Sequence, residues 1–266
     1  MTMHVLALLL ALPPFAWPAG RRAAVVLTYD DALRSQLEVA VAQLDAAGLK
    51  GTFFLQGDRV GPAEEARWRE AGRHGHELGN HTMHHPCPAG MVPGQGHTTD
   101  TYDAAALLKE IAAMNDRLAL IDGPRTRTLS YPCSQTLVGG GRDYVDALRR
   151  SGVIAYARTG GDPHTSVVAD PRGLDLLRVP SNGPIDHPGG AQLVAWAERV
   201  RAAGGLGVLQ FHGVGGDYLE VSAEAHQELV AFLRAHPDIW VAPFQEVMDY
   251  VARQRAAPAA PGTAPR

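Results

Sequence analysis

Short apolar runs alternate with amphipathic stretches over roughly 230 residues of this chain, and no other feature limits its fold so tightly. Strand-like segments fall at 23–29 (AAVVLTY), 52–55 (TFFL), 76–80 (HELGN), 128–132 (TLSYP), 153–157 (VIAYA), 176–180 (LLRVP), 207–211 (GVLQF) and 239–243 (IWVAP). Between them, apolar residues recur at helical spacing in LRSQLEVAVAQLDAAG, which stops at Gly48, and again from Ala104 to Leu120. AQLVAWAERVRAAG and SAEAHQELVAFLRAH follow the same pattern, the second with Ser222 as its N-cap. Parallel neighbours are joined only by long crossovers, so strand–helix alternation predicts a parallel sheet. Eight candidate strands predict closure into an α/β barrel.

At 266 residues the chain is long enough for one such barrel. Hydrophobic residues make up 45% and charged residues 20%, the balance of an ordinary globular protein. A net charge of −4 without a basic block argues against a nucleic-acid surface or a polybasic membrane patch. The apolar run VLALLLAL (5–12) is too short for the ~20 residues that span a bilayer, but it suits the core of a secretory signal. The expected organisation is a signal peptide over 1–20, one catalytic domain over 21–255 and a disordered Pro/Ala tail over 256–266. The expected location is secreted or periplasmic, without membrane insertion of the mature chain. The sequence does not set the oligomeric state.

Chemistry-bearing residues gather where the strands end. Asp30 and Asp31 close the first strand, His81 and His85 follow the third, and His212 follows GVLQF. In α/β barrels those ends share one face, and chemistry collects there. Neighbouring carboxylates repel unless a positive charge compensates them, and an Asp–Asp pair at a strand end is otherwise a helix-capping turn. One carboxylate with two imidazoles suits a divalent metal and leaves coordination positions open, while the second carboxylate can move a proton. His81 and His85 would share a face if their stretch were a helical turn, with His84 as the competing ligand. Thr82 stands where helix-borne zinc peptidases carry Glu, which disfavours that class. Two cysteines, Cys87 and Cys133, flank these motifs and leave two readings open, a disulfide in an oxidising compartment or two free thiols.

Taken in order, LTYDDA, HTMHHP, SYPCS and VLQFHG resemble the signature motifs of polysaccharide deacetylases, carbohydrate esterase family 4, over roughly residues 21–250. The resemblance to this NodB-homology family implies a distorted (β/α) barrel of about seven to eight strands. It implies removal of acetyl groups from a glycan, chitin-like, peptidoglycan or poly-N-acetylglucosamine, with one divalent ion. Zinc is expected, with cobalt, nickel or manganese open. Carried over by position, Asp30 becomes the general base, Asp31, His81 and His85 the metal ligands, and His212 the general acid. The family's Arg-x-Pro-aromatic-Gly motif falls on residues 130–134, where only Pro132 matches. Ser130 cannot supply the arginine's charge, and Arg158 at another strand end is the candidate substitute. The backbone N–H of Cys133 is implied as an oxyanion donor and Tyr131 as a substrate contact. Trp68, Tyr102 and Tyr218 are further aromatic side chains that could flank a sugar. The family's Asp–Trp pair has no clean match, with Asp162 and Asp186 as candidates, so the chain reads as a divergent member.

Three other readings compete. Two histidines and one carboxylate also hold iron in oxygenases, but those place the first histidine two residues from the acid rather than fifty away. The missing arginine and Asp–Trp pair fit a non-catalytic carbohydrate-binding protein on a decayed scaffold. The same site could also cleave O-acetyl esters or another amide.

Overall fold

The computed structural model describes residues 14–92, 94–161, 166–183 and 186–256. Ten strands run in chain order: β1 (Ala23–Asp30), β2 (Thr52–Leu55), β3 (Glu77–Asn80), β4 (Thr128–Ser130), β5 (Leu137–Val138), β6 (Arg142–Asp143), β7 (Tyr156–Arg158), β8 (Val167–Val168), β9 (Leu206–Phe211) and β10 (Ile239–Val241). Among the described residues, seven α-helices accompany them: α1 (Val41–Ala47), α2 (Pro62–Arg73), α3 (Ala104–Asp122), α4 (Val145–Ser151), α5 (Gly190–Ala203), α6 (Ala223–Ala235) and α7 (Phe244–Ala256). The main sheet runs β7-β4-β3-β2-β1-β9-β8, with β10 paired to the start of β1; only β8 is antiparallel to its neighbour. β5 and β6 form a separate antiparallel pair.

The expected strand at 176–180 is not regular, yet this stretch closes the sheet. Val179 bridges Arg158 on β7, and Asn182 bridges Leu209 on β9, so the two ends of the curled sheet meet across residues 179–182. The result is a distorted barrel, as the family resemblance implies, rather than the regular eight-stranded closure that the strand count alone predicts. Gly48 ends α1 in the left-handed conformation at φ 68°, and the Ser222 side chain caps α6 by accepting from the Ala225 N–H.

All eight β1 residues are buried, and the two-residue period of a strand sends them to different places. Ala23, Val25, Leu27 and Tyr29 pack outward in the core with Leu193, Trp196 and Leu229 of α5 and α6. Ala24 and Val26 pack with Phe54, Val179 and Val208. Tyr29 stacks between its register partners Phe53 and Phe211, with ring centroids 4.7 and 5.3 Å away. Its hydroxyl donates to His226 Nε2 at 2.7 Å, while His226 Nδ1 donates to Gln43 Oε1. Burial pushes His226 down to about 3, so it stays neutral and serves the core.

The second apolar cluster reaches into the stretch that the sequence assigns to a leader. Phe15 and Trp17 are buried against Trp240, Phe244 and Tyr250, and Trp17 Nε1 donates to the Gly204 carbonyl at 3.0 Å. The Tyr250 hydroxyl donates to the Ala16 carbonyl at 2.7 Å. The apolar run at 5–12 and the tail at 257–266 lie outside the described residues. Among the described residues, no helix is long and apolar enough to cross a membrane. Trp17→Ala is expected to cost about 3–5 kcal/mol of unfolding free energy, measured by denaturant titration. A loss below about 1 kcal/mol would detach this segment from the cooperative fold.

Candidate metal centre

The sites named from sequence converge at the C-terminal ends of the strands, around a cleft of about 900 Å³. Asp30, Asp31, His81, His85, Tyr131, Cys133 and His212 all line it. Asp30 is the last residue of β1 and faces the barrel interior, while Asp31 turns away in the left-handed region at φ 78°. This abrupt change lets two adjacent carboxylates serve different partners.

His81 and His85 do not lie on a helical turn; their stretch is a loop shaped by side chains. Asn80 Oδ1 accepts from the Thr82 N–H at 2.7 Å, and Thr82 Oγ1 accepts from the His85 N–H at 3.0 Å. His85 itself takes φ 50°. Both imidazoles reach the same carboxylate oxygen: Asp31 Oδ1 lies 3.3 Å from His81 Nε2 and 3.5 Å from His85 Nε2. His84 points elsewhere, bonding Asp58 at 2.9 Å and stacking on His97. Between the two candidates in this motif, the structure therefore brings His85, and not His84, to Asp31.

Three observations suit these residues to a cation. Asp31 Oδ1 is buried and has no hydrogen-bond partner. His81 Nδ1 donates to the Ser130 carbonyl at 2.8 Å, which fixes its tautomer and leaves the Nε2 lone pair directed at Asp31. His85 Nδ1 lies 3.6 Å from Cys87 Sγ, a disulfide sulfur that can only accept, so His85 Nε2 is likewise left as a lone-pair donor. The potential ligand atoms of Asp31, His81 and His85 fall within 4.8 Å of one another. His85, Cys87 and Cys133 form a second close group, but their sulfurs are joined in the Cys87–Cys133 disulfide. That bond, with Cα atoms 5.6 Å apart, decides between the two cysteine readings and ties the loop after His85 to the loop after β4.

Asp30 is gripped from three sides. Arg158 Nη2 donates to Oδ1, while Ser130 Oγ and Gln210 Nε2 each donate to Oδ2 at 3.1 Å. Ser130 and Arg158 are register partners on adjacent strands. The positive charge that Ser130 cannot supply thus arrives from one strand to the side, at the same height in the barrel. The Arg158 guanidinium also lies 5.0 Å from the centre of the Phe54 ring. Burial pushes the Asp30 carboxyl up, but Arg158, His81 and His212 outweigh it and hold it below the usual carboxylate range. Asp31 behaves alike, with burial outweighed by His81, His85 and His212.

The imidazoles divide. Burial disfavours the charged form of His81, but Asp30 and Asp31 prevail and raise it above the ordinary histidine value. Burial, reinforced by His81, drives His85 down to about 4. His212 is lowered by burial against the opposing pull of Asp30 and Asp31; its Nε2 lies 3.8 Å from Asp31 Oδ2. Gln36 Nε2 donates to the carbonyls of both Asp30 and His212, fastening the ends of β1 and β9 together. Gly213 follows His212 because a Cβ there would meet the Gly216 carbonyl at 2.0 Å.

Other expected contacts are placed differently. The Tyr131 ring is buried and its hydroxyl donates to the Leu177 carbonyl at 2.8 Å, so that side chain is committed to the core. Trp68 is fully buried against Phe53, and Tyr102 lies outside the cleft lining. Asp186 is exposed beside a separate pocket with Trp196 and Arg199, and Asp162 lies outside the described residues. Tyr218 does line the cleft, and its hydroxyl donates to Asp31 Oδ2, the oxygen turned away from the two histidines. Gln210 was missed from sequence, although it stands on β9 two residues before His212. Strand alternation was the signal for it; none marked the Tyr218 bond.

The polysaccharide deacetylase family profile matches residues 18–152, just over half of the chain, and the chain belongs to that family. Its fold is shared with a protein designated a polysaccharide deacetylase from Mycobacterium smegmatis, at 19% identity and TM-score 0.64, covering 96% of this chain and 98% of that one. The peptidoglycan deacetylase PdaC from Bacillus subtilis aligns at 19% identity and TM-score 0.55, over 88% of this chain and 94% of its own. A carbohydrate esterase family 4 pseudoenzyme from Bacillus anthracis aligns at 18% identity and TM-score 0.53, over 85% and 66%. A curated relative, the gellan lyase of a Bacillus sp, is 28% identical over 131 residues; the match takes 49% of this chain and spans 5% of that protein.

Were Asp31, His81 and His85 to hold an ion, the raised His81 would make its binding depend on pH. A proton held there must leave before Nε2 can coordinate. Calorimetric zinc titration in buffers of different ionisation enthalpy should show net proton release on binding, with affinity weakening as the pH falls through the raised His81 range. Binding without proton release would remove His81 from the ligand set.

Proposed function

We propose that this chain is a metal-dependent hydrolase that removes acetyl groups from an N-acetylated glycan. The observation that carries the reading is the orphaned Asp31 Oδ1 facing two imidazole nitrogens, beside a second carboxylate held ionised by Arg158. Asp31, His81 and His85 would hold one divalent ion, zinc being the first expectation and cobalt, nickel or manganese the others. Such an ion supplies Lewis-acid polarisation of the acetyl carbonyl and lowers the pKa of water.

The chain's own groups supply the remainder. Asp30 Oδ2 lies 3.7 Å from His81 Nε2, on the side of the ligand cluster, while Oδ1 is occupied by Arg158. Asp30 takes the proton from the attacking water as the new C–O bond forms. The Cys133 N–H, on a loop anchored by the disulfide, stabilises the oxyanion. The proton taken by Asp30 passes by way of His212 to the sugar nitrogen as the C–N bond breaks, giving acetate and a free amine and returning Asp30 and His212 to their starting states. Residues 1–20 contain the export signal in this reading. The Cys87–Cys133 disulfide supports a secreted or periplasmic location, since such bonds persist in oxidising compartments.

The pseudoenzyme reading draws on the missing Asp–Trp pair, and the O-acetyl esterase reading uses the same site. One screen separates all three: acetate release by metal-loaded protein from chitooligosaccharides, peptidoglycan, poly-N-acetylglucosamine and acetylxylan. Release from an N-acetylated glycan is expected; release from acetylxylan alone would favour the esterase. Glycan binding without release at any metal loading would favour the pseudoenzyme. Asp30→Asn should lose about 10²–10⁴-fold in kcat and keep its metal. Arg158→Gln should raise the Asp30 pKa and move the acid limb of the rate profile to higher pH, with Arg158→Lys restoring most of that shift. An unmoved limb would show that Arg158 does not govern the base.

A further inference from the structure

Six large apolar side chains are exposed among the described residues, and four of them, Met91, Val92, Tyr218 and Leu219, line the mouth of this one cleft. They come from two separate segments, the loop after Cys87 and the loop after Gly213. Exposure grades along the cleft. The Asp31 and His81 side chains at its base are 4% and 2% exposed, His212 and His85 are 14% and 18%, and Met91 and Leu219 are 53% and 39%. Apolar surface concentrated in this way marks a binding region rather than scattered surface residues. The volume of about 900 Å³ lies near the upper end of the ~300–1,000 Å³ range for ligand pockets.

The kind of side chain at the rim matters. Sugar rings pack by preference on flat aromatic faces, yet Tyr218 is the exposed aromatic ring in the lining, and the Arg59 guanidinium already lies over it at 5.3 Å. Met91, Val92 and Leu219 offer flexible or branched aliphatic surface instead, which suits an alkyl chain. Taking the acetyl group to sit at the polar base, as the deacetylase reading requires, the rim meets whatever lies beyond the sugar. We infer that the substrate is an amphipathic glycoside, an acetylated amino sugar whose far side carries a linear alkyl chain that packs on Met91, Val92 and Leu219. The inference rests on the deacetylase reading for its orientation and on the rim for its chemistry.

The test compares methyl and octyl β-glycosides of N-acetylglucosamine, below the micelle threshold, with the zinc-loaded protein. KM for the octyl glycoside should be about tenfold lower or more, with kcat little changed, because contacts remote from the reacting carbonyl bind ground and transition states alike. In Met91→Gln/Leu219→Asn that ratio should fall below about threefold; both positions are exposed, and Asn tolerates the φ of 47° at Leu219. Equal KM values, or a lower KM for chitotetraose than for the octyl glycoside, would overturn the inference and leave the deacetylase reading intact. Calorimetric binding to zinc-loaded Asp30→Asn separates the two ideas. Tenfold tighter binding of the octyl glycoside without acetate release from wild type would sustain the rim assignment while the deacetylase reading fell. Binding of neither glycoside would overturn the inference.

Discussion

The ion pair between Arg158 and Asp30, closed off at the top of the barrel, is the interaction around which this site is organised. Both side chains are 1% exposed, so each has given up hydration worth several kcal/mol. Further contacts offset part of that cost. Ser130 and Gln210 donate to Oδ2, and Phe54 covers the guanidinium, whose Nε stays buried without a hydrogen-bond partner. Those contacts come from β2, β4, β7 and β9, so the carboxylate is fixed by nearly the whole circumference of the sheet. Asp31, one residue on, is thereby released to face the two histidines.

The backbone shows the same division between scaffold and site. Of ten non-glycine residues with positive φ among the described residues, Asp31, Ala32, Thr82, His85, Cys133, Ser134, Asp217 and Leu219 lie in the loops around the cleft. Each such conformation costs on the order of 1–3 kcal/mol and persists only where surrounding structure enforces it. Here the enforcing contacts are visible: the Asn80 and Thr82 side chains before His85, and the disulfide at Cys133. The strain sits in segments that carry proposed ligands, the proposed oxyanion donor and the rim.

Much of this was legible in sequence because the chemistry-bearing residues stand where strand-like segments end, which named the face where chemistry would gather. The structure then adds the two-residue period of β1, which sends Asp30 inward and Tyr29 outward. Arg158 could be offered as a substitute for the missing arginine because it also ended a strand; only the register, Ser130 against Arg158, explains why the exchange works. What stayed hidden depends on contacts across long separations. Residues 179–182 close the barrel through bridges on both flanks without forming a regular strand, so no run of apolar residues announces them. Phe15 and Trp17 look like part of a leader until Trp240 and Tyr250 are brought beside them. Tyr131 looked available for substrate, but its hydroxyl is spent on Leu177, forty-six residues away.

The central claim is that Asp31, His81 and His85 together grip one cation. Diffraction data collected on either side of the zinc absorption edge, from zinc-soaked crystals, address it directly. The expected result is a single anomalous peak about 2.0–2.2 Å from Asp31 Oδ1, His81 Nε2 and His85 Nε2. A cleft with no peak at full zinc loading, or an ion bound at His84 and Asp58 instead, would contradict it.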